Sequence, residues 1–329
     1  PRCLRSLALQ VEDLRRAAAA ETTRLQAHAR RLAALDVASA LAEAANRQGW
    51  SRPTLVDETV LCISEGRHPV VERLLPAQRF IPNSTEMDGS DRRLLLLTGP
   101  NMAGKSTYMR QVALIVVMAQ MGSYVPAEDA TIGLVDQIFT RVGAHDDIAG
   151  GRSTFMVEMS ETASILARAT SRSLILLDEI GRGTSTFDGI SIAWAVAEDV
   201  HHRIGARTLF ATHYHELTEL AATLPGLKNY KAAVREWNDE IIFLRKIIEG
   251  GADRSYGIQV ARLAGLPEGV VRRAREILSD LEQRDAQHAA VSASADTQPD
   301  LFMPPTHPVI EELIHLDVLT MTPIDALNA

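Results

Sequence analysis

One short segment constrains this chain more than any other: a glycine-rich loop between a strand-like run and a helix-like run. Residues 94–97 are four consecutive leucines, and the segment from Tyr108 to Met121 has the character of a helix. Residues 99–107 between them keep the G-x-x-x-x-G-K-[ST] spacing of a phosphate-binding P-loop. Glycine lets backbone N–H groups wrap around phosphate oxygens, which a β-carbon would obstruct. The segment therefore predicts a nucleotide site, the alternative being a plain glycine turn.

The loop residues have separate expected roles. Lys105 would reach the β- and γ-phosphates, the Ser106 hydroxyl would ligate Mg²⁺, and the helix N-terminus adds partial positive charge. The predicted nucleotide-binding residues of the loop are Gly99, Pro100, Asn101, Met102, Ala103, Gly104, Lys105, Ser106 and Thr107.

Composition limits the classes of protein to consider. The 329 residues are 46% hydrophobic and 23% charged, which is typical of a globular chain of one or two domains with a sizeable core. No apolar run approaches the roughly 20 residues of a membrane helix, and the first residues do not resemble a secretory signal. Two cysteines are too few for a disulfide framework, so a reducing cytoplasm is expected. The net charge of −8 argues against a chain whose whole surface is basic and binds nucleic acid.

The first 52 residues read as long helix. Apolar side chains occupy the a and d positions of one heptad register, interrupted by Glu21 and His28; they are Leu4, Leu7, Val11, Leu14, Ala18, Leu25, Leu32 and Leu35. An amphipathic helix packed on its own domain and an intermolecular coiled coil both fit this pattern. Because the pattern begins without a cap, we expect the chain to be a fragment that starts inside a longer helical element.

From about Pro53 the pattern changes to short, continuous apolar runs separated by helical stretches. The runs at residues 94–97, 174–177 and 208–211 suit strands that are buried on both faces of a parallel sheet. This alternation predicts an α/β sandwich. Residues 255–281 read as helices around the turn Gly265-Leu266-Pro267, residues 283–308 as an unfolded linker, and residues 309–329 as a short apolar-patterned tail.

Polar residues follow two of the predicted strands. Asp178 can complete a Mg²⁺ shell opposite Ser106, and Glu179 can orient or deprotonate an attacking water. His213 follows residues 208–211 and could sense the γ-phosphate. The alternatives are a solvated loop start for the two acids and a satisfied structural role for the histidine.

A second glycine-rich segment, residues 150–155, precedes another helical stretch. The hydroxyl of Ser153 and the helix N-terminus would make a second anion site, which need not face the P-loop of its own chain. The alternative is a helix N-cap, a position that serine favours.

Five segments together resemble the MutS family of DNA mismatch repair proteins, within the ABC-type ATPase superfamily. They cover residues 99–111, 151–159, 176–189, 211–217 and 255–261, and the likeness extends over nearly the whole chain. The resemblance implies a P-loop ABC-type ATPase sandwich with a mixed, largely parallel sheet, preceded by long helices and followed by a helical dimerisation element. The implied domains are a helical core or lever end at 1–52, the ATPase domain at 53–250, a helix-turn-helix dimerisation element at 251–282, a linker at 283–308, and oligomerisation helices at 309–329.

The resemblance also implies the site. It predicts a Mg²⁺-dependent ATPase that works as a dimer, in which Ser153 of one chain approaches the γ-phosphate bound by Lys105, Glu179 and His213 of the other. Phe80 matches a position that stacks on adenine, with a core aromatic as the alternative. Residues 181–188 match a loop that passes signals between the two sites. Ala103 and Phe187 are mild departures, since many relatives have glycine and tyrosine there.

The partners implied are mismatched DNA, bound through N-terminal domains that this sequence lacks, the MutL protein, and a second or further copies of the chain. The segment from Gln298 to Phe302 resembles peptides that dock into bacterial sliding clamps. The implied location is the bacterial cytoplasm, in association with the nucleoid. The function expected is ATP hydrolysis that switches the conformation of a clamp on mismatched DNA.

Two other functions remain to be compared. Other ABC-type ATPases, such as transporter subunits and chromosome-maintenance proteins, carry a Leu-Ser-Gly-Gly-type signature where this chain has Gly-Gly-Arg-Ser-Thr-Phe. A module for oligomerisation and partner docking, with little ATP turnover in isolation, is the non-enzymatic alternative. ATPase activity that depends on protein concentration would distinguish an ATPase that works as a dimer from this docking module.

Overall fold

The computed structural model describes residues 2–75, 80–100, 102–142, 153–237, 240–251 and 256–293. By internal contacts the chain divides into two units, residues 1–260 and residues 261–329. The first unit contains two sheets and most of the helices. The predicted linker beyond residue 293 and the predicted tail, including the segment from Gln298 to Phe302, lie outside the described residues.

The larger sheet of the first unit has six strands in the order β10-β9-β4-β8-β7-β6. These are β4 (Leu94–Thr98), β6 (Ile138–Arg141), β7 (Leu174–Asp178), β8 (Arg207–Ala211), β9 (Leu227–Trp237) and β10 (Glu240–Glu249). All neighbouring pairs from β9 to β6 are parallel, and only β10 runs antiparallel to its neighbour β9. The α/β class and the mixed, largely parallel sheet are therefore confirmed.

The continuous apolar run in β4 is explained by burial on both sides. Leu95 and Leu97 pack in one core with helix α4 (Lys105–Gln120). Leu94 and Leu96 pack in a second core, on the opposite face, with helices α5 (Thr154–Arg168) and α6 (Thr186–Asp199). A strand covered on both faces requires apolar side chains at every position, whereas a strand with one solvent-exposed face alternates apolar and polar side chains.

A smaller sheet, which the sequence patterns did not reveal, closes the other side of α4. Its strands are β1 (Thr54–Val56), β2 (Leu61–Gly66), β3 (Asn83–Met87) and β5 (Asp129–Gly133), in the order β1-β5-β2-β3. Leu61, Ile63 and Met87 from this sheet join Leu95 and Leu97 in the core around α4. The helix that begins at the P-loop is thus enclosed between two sheets. A short helix, α3 (Val71–Leu74), follows β2.

Arg207, the first residue of β8, is a buried cation that joins the two sheets. It is 1% exposed, and its guanidinium donates hydrogen bonds of 2.9–3.1 Å to the carbonyl oxygens of Val60, Gly133, Leu134 and Arg172. Burial lowers the pKa of the guanidinium, as does the nearby Arg172, and Asp136 opposes that change. Since arginine stays protonated in proteins, the four carbonyl dipoles hold a charge in the interior.

The predicted N-terminal helix is present as α1 (Arg2–Ala20) and α2 (Thr22–Gln48), with a break at Glu21, one of the two residues that interrupt the heptad pattern. The leucines at 7, 14, 25, 32 and 35 are each more than half exposed. The stripe therefore does not pack on the described part of this chain at those positions. The C-terminal end of α2 is held where Arg67 donates hydrogen bonds to the carbonyls of Gln48 and Gly49, at 3.3 and 3.1 Å.

The last described helices are α7 (Leu220–Thr223), α8 (Gly257–Leu263) and α9 (Glu268–Ala293). Helix α9 continues about ten residues past Gln283, where the sequence had predicted the linker to begin. Residues 283–293 contain several alanines, the strongest helix former, which accounts for the extension. Within the described ranges, no helix combines the length and hydrophobicity needed to cross a lipid bilayer.

Candidate nucleotide-binding site

The P-loop connects β4 to α4 through backbone conformations that favour glycine. Gly99 and Gly104 have φ values of 117° and 103°, in the region where a β-carbon is strained. Gly104 is the N-cap of α4, and its carbonyl accepts a hydrogen bond from the N–H of Tyr108 at 2.9 Å. The predicted strand, glycine loop and helix are all present, so an anion can approach the N-terminus of α4.

Lys105 is the buried cation of this loop. It is 4% exposed, and its Nζ donates hydrogen bonds to the carbonyl oxygen of Gly99 and, at 3.1 Å, to that of Pro100. Burial lowers the pKa of the ammonium group, while the charges of Glu179 and Asp178 act to raise it. The side chain is therefore folded back on its own loop, where phosphate oxygens could replace the two carbonyls as acceptors.

Two cavities meet at the loop. The smaller, of about 140 Å³, is lined by Lys105, Ser106 and Glu179 together with other P-loop residues. The larger, of about 300 Å³, is lined by Phe80, Ile81, Tyr108, Gln111 and Arg245, among others. Met102, Gly104 and Thr107 line both cavities. The structure thus brings Phe80 and the P-loop together, as an adenine site next to a phosphate site requires.

Asp178 and Glu179 lie at the carboxyl end of β7, beside the P-loop. The Oδ1 atom of Asp178 is buried and has no hydrogen-bond partner among the described residues. A buried carboxylate oxygen without a partner is costly. This oxygen, and the hydroxyl of Ser106 at the smaller cavity, are hard donors of the kind that Mg²⁺ prefers, so the residues present fit the predicted metal.

Glu179 is the acid that faces the smaller cavity. Its backbone N–H donates to the carbonyl of Ala211 at 2.8 Å, and its carboxylate forms an ion pair with Arg182. Burial raises the pKa of this carboxyl group, and Asp178 raises it further, while Arg182 and Lys105 act to lower it. The raised pKa brings a proton acceptor closer to the pH at which it would work.

His213 is exposed to solvent, but it lies near enough to Arg182 and Lys105 for their charges to affect it. Its ring packs against that of Tyr214, with 4.1 Å between the ring centroids. Partial burial lowers the pKa of the imidazole, and the positive charges of Arg182 and Lys105 lower it further. The ring is thus kept neutral at lower pH than an ordinary histidine, and a neutral ring can both donate and accept a hydrogen bond.

Ser153 lies at the start of α5, and its side chain is exposed. Its Oγ accepts a hydrogen bond from the N–H of Met156 at 3.1 Å, which confirms the N-cap interpretation. Its hydrogen-bond partners within the described residues belong to its own helix. The structure therefore does not bring Ser153 to Lys105 of the same chain, and its role toward a second chain stays a prediction. Asn101 and residues 150–152 lie outside the described residues.

The structure adds residues that the sequence patterns missed. Asn83 of β3 donates to the carbonyl of Arg245 at 3.0 Å and accepts from the N–H of Ile247 at 2.7 Å. These bonds hold a register shift in β10 that places Arg245 at the larger cavity. The glycine loop gives no signal for a strand more than a hundred residues away. The ion pair between Arg182 and Glu179 was also missed, although the loop 181–188 that contains Arg182 was recognised.

Backbone strain is concentrated at this site. Among the described residues, four that are not glycine have positive φ, and three of these line the two cavities: Met102, Glu179 and Arg245. Each such conformation costs on the order of 1–3 kcal/mol and persists only where the surrounding structure enforces it. This concentration supports a functional role for the two cavities.

Comparisons with known proteins show which family the chain resembles over nearly its whole length. A family model described as MutS domain V matches residues 95–282. The DNA mismatch repair protein MutS of Symbiobacterium thermophilum is 57% identical over 324 residues, covering 96% of this chain and 37% of that protein. The MutS proteins of Acetivibrio thermocellus and Sorangium cellulosum are 55% and 57% identical, again over 96% of this chain. The chain spans little more than a third of the length of these relatives.

Proposed function

The chain belongs to the MutS family of DNA mismatch repair proteins, and we propose that it binds and hydrolyses ATP at sites shared between two copies. The nucleotide state of these sites would control the conformation of a clamp on mismatched DNA. The observation that carries the proposal is the meeting of the two cavities at the P-loop, with Lys105 and Glu179 in the smaller one.

The two cavities suggest how ATP would bind. The adenine would enter the larger cavity and stack on the half-buried ring of Phe80, because aromatic faces attract flat bases. The phosphates would lie in the smaller cavity, against the N-terminus of α4. Lys105 would then exchange the carbonyls of Gly99 and Pro100 for β- and γ-phosphate oxygens.

Hydrolysis requires positioning and charge stabilisation more than covalent chemistry. Ser106 and Asp178 would hold Mg²⁺, which neutralises charge on the phosphate oxygens when bound. Glu179 would accept a proton from a water molecule while the oxygen of that water bonds to the γ-phosphorus. The bond between this phosphorus and the bridging oxygen would break, and ADP would leave. His213 would hydrogen-bond to the γ-phosphate.

The shared site is supported by what the single chain leaves exposed. Ser153 is exposed at the start of α5, and Met102, Met156 and Phe187 are large apolar side chains that are 56–84% exposed. Each of the three lies in or beside a segment of the predicted site. A second copy of the chain would cover these side chains and bring its Ser153 to the γ-phosphate, and the loop 181–188 would carry signals between the two sites.

The described fold also supports coupling to more distant parts. Helix α4 starts at the P-loop, and the turn after it pairs Val125 with Ser51 by hydrogen bonds of 2.9 and 3.0 Å, directly after α2. Movement of α4 would thus reach α2 and α1. Mismatched DNA, MutL, a sliding clamp, higher oligomers and a location at the bacterial nucleoid remain predictions, as does the dimerisation role of residues 251–282.

The shared site can be tested by mixing two inactive chains. A Lys105→Ala chain should lose ATP binding, and a Ser153→Ala chain should bind ATP but hydrolyse it slowly. In an equal mixture, the intact P-loop of one chain would meet the intact Ser153 of the other. ATPase activity should recover to about one quarter of the wild-type rate, since about half of the dimers are mixed and each has one intact site of two.

The control is a mixture of Ser153→Ala with Lys228→Ala, a lysine of β9 that lines neither cavity. This mixture should give about half of the wild-type rate, because half of its chains carry an intact Ser153, and it shows whether the Ser153→Ala chain inhibits a partner by other means. Activity that stays at the level of the separate Lys105 and Ser153 variants would contradict the shared site. A rate per chain that rises with wild-type concentration would support an ATPase that needs dimers, whereas negligible turnover at every concentration would favour the docking module.

The Glu179–Arg182 pair predicts a dependence on pH. Glu179 must be ionised to accept a proton, so kcat/KM should fall as the pH drops through its pKa. Because Arg182 lowers this pKa, an Arg182→Met variant should move the acid limb of the profile to higher pH. The measurement is kcat/KM for ATP against pH, with Arg203→Met, an exposed arginine paired with Asp199, as the control. An acid limb that is unmoved, or moved to lower pH, would contradict the pairing.

A further inference from the structure

Glu158 on α5 is a buried acid that the proposed chemistry does not use. It is 5% exposed and lines neither of the two nucleotide cavities. An ionised carboxylate in the interior is unfavourable unless it is paired and hydrogen-bonded. Its partners therefore indicate what it does.

Each oxygen of Glu158 has a different partner. Oε1 accepts a hydrogen bond from the backbone N–H of Gly181 at 2.5 Å, and Oε2 lies 3.5 Å from the guanidinium of Arg141 on β6. Gly181 lies two residues after Glu179 in the chain. Its carbonyl accepts a hydrogen bond from the hydroxyl of Tyr214 at 2.9 Å, and Tyr214 follows His213. The peptide groups around Gly181 are thus held from both sides, by α5 and by the residue next to His213.

Close packing leaves this segment little room to move independently of α5. A β-carbon on Gly183 would lie 2.7 Å from the Cβ of Phe155, in the first turn of α5. A β-carbon on Gly181 would lie 2.6 Å from the carbonyl oxygen of Gly189, and one on Gly189 would lie 2.3 Å from the hydroxyl of Tyr214. The absence of these β-carbons lets the backbone segments pack closely, and closely packed segments transmit displacement because protein interiors compress little.

Helix α5 therefore connects two parts of the proposed site. Its N-cap is Ser153, which would face the nucleotide of the other chain, and Glu158 lies little more than one turn further along. A displacement at the start of α5 would reach the Gly181 N–H through the carboxylate, and from there the backbone of Glu179.

We propose that Glu158 is a positioning residue for Glu179, which ties the helix that presents Ser153 to the backbone beside the catalytic carboxylate. The proposal rests on the ATPase function proposed above. Engagement of Ser153 with a nucleotide in one site would move α5, and the Glu158–Gly181 hydrogen bond would adjust Glu179 in the other. Arg141 holds the carboxylate in the orientation that this bond requires.

The chain offers a matched control for the test. Glu161 is on the same helix and pairs with the same Arg141 at 3.0 Å, but its side chain is 52% exposed, and no hydrogen bond among the described residues joins it to Gly181. Glu158→Met removes the acceptor at similar volume, Glu158→Gln keeps an acceptor oxygen, and Glu161→Gln removes only the outer ion pair.

The first measurement is steady-state ATP hydrolysis. Glu158→Met should lower kcat on the order of tenfold or more and leave KM for ATP within about twofold, because a misplaced catalytic group affects the chemical step rather than binding. Glu158→Gln should regain most of the rate, and Glu161→Gln should match the wild-type chain. Equal kcat for Glu158→Met and Glu161→Gln, or a loss that appears only in KM, would overturn the proposal.

The second measurement is amide hydrogen exchange without nucleotide, which does not depend on ATPase activity. The Gly181 amide of the wild-type chain should exchange slowly, and residues 179–183 should exchange faster in Glu158→Met but not in Glu161→Gln. Fast exchange of Gly181 in the wild-type chain would overturn the proposal even if Glu158→Met fails to fold. A wild-type chain that shows this protection but no hydrolysis at any concentration would instead contradict the proposed function.

Discussion

Replacing Glu179 with glutamine is expected to leave ATP binding intact and to lower the rate of hydrolysis about 10²- to 10⁴-fold, the range that a general base contributes. The amide has the shape of the carboxylate but cannot accept a proton from water. Binding should persist because Lys105, Ser106 and the N-terminus of α4 are unchanged. The affinity would be measured with a fluorescent ATP analogue, and the rate by release of phosphate.

The matched control is Glu216→Gln. Glu216 is an exposed acid near enough to affect the pKa of His213, but it does not line the phosphate cavity. The Glu216→Gln variant should hydrolyse ATP at close to the wild-type rate. Normal turnover by the Glu179 variant would remove this residue from the proposed mechanism, and loss of ATP binding would show that it acts in binding instead.

Replacing Arg207 with methionine should cost about 4 kcal/mol of the free energy of unfolding. Methionine is an apolar side chain that donates no hydrogen bonds, so four carbonyl oxygens, one of them in a fully buried bond, each lose a donor at roughly 1 kcal/mol. Most domains have a total stability of about 5–15 kcal/mol, so the variant should be close to unfolding at moderate temperature.

Urea unfolding followed by circular dichroism would measure this loss. Arg47→Met is the control, because Arg47 is exposed on α2 and makes a single ion pair with Glu43, and it should unfold at nearly the wild-type midpoint. Equal midpoints for the Arg207 and Arg47 variants would contradict the role of Arg207 in joining the two sheets.

The parts of the fold that sequence predicts best are those with an unambiguous burial pattern. The runs in β4, β7 and β8 are apolar throughout because both faces of the sheet are covered, and a continuous run of this length is hard to place elsewhere. The P-loop was equally clear, because its glycines and Lys105 satisfy a backbone requirement and a charge requirement together.

The smaller sheet escaped prediction for a physical reason. In β3 the buried positions are Asn83, Thr85 and Met87, so polar side chains occupy two of its three inward positions. Asn83 and Thr85 are satisfied by partners distant in sequence, Arg245 and Tyr108. A pattern based on hydrophobicity assigns such residues to the surface.

The same limitation applies to the buried charges. Arg207 and Glu158 are read from sequence as surface residues, since charged side chains are almost never fully buried unless they are paired. Only the folded chain shows the carbonyls around Arg207 and the Gly181 N–H beside Glu158. The residues that line the smaller cavity could be predicted, but most of those that line the larger cavity, and those that hold the lining residues in place, could not.

The attachment of α2 has a mechanical consequence. The helix has 27 residues and is therefore about 40 Å long, while the bonds from Arg67 and the Ser51–Val125 pair secure only its C-terminal end. A rotation of about 5° at that end would displace the opposite end by about 3.5 Å. A helix fixed in this way would convert a small change beside α4 into a displacement the size of an amino-acid side chain, with no need for large rearrangement in the proposed nucleotide site.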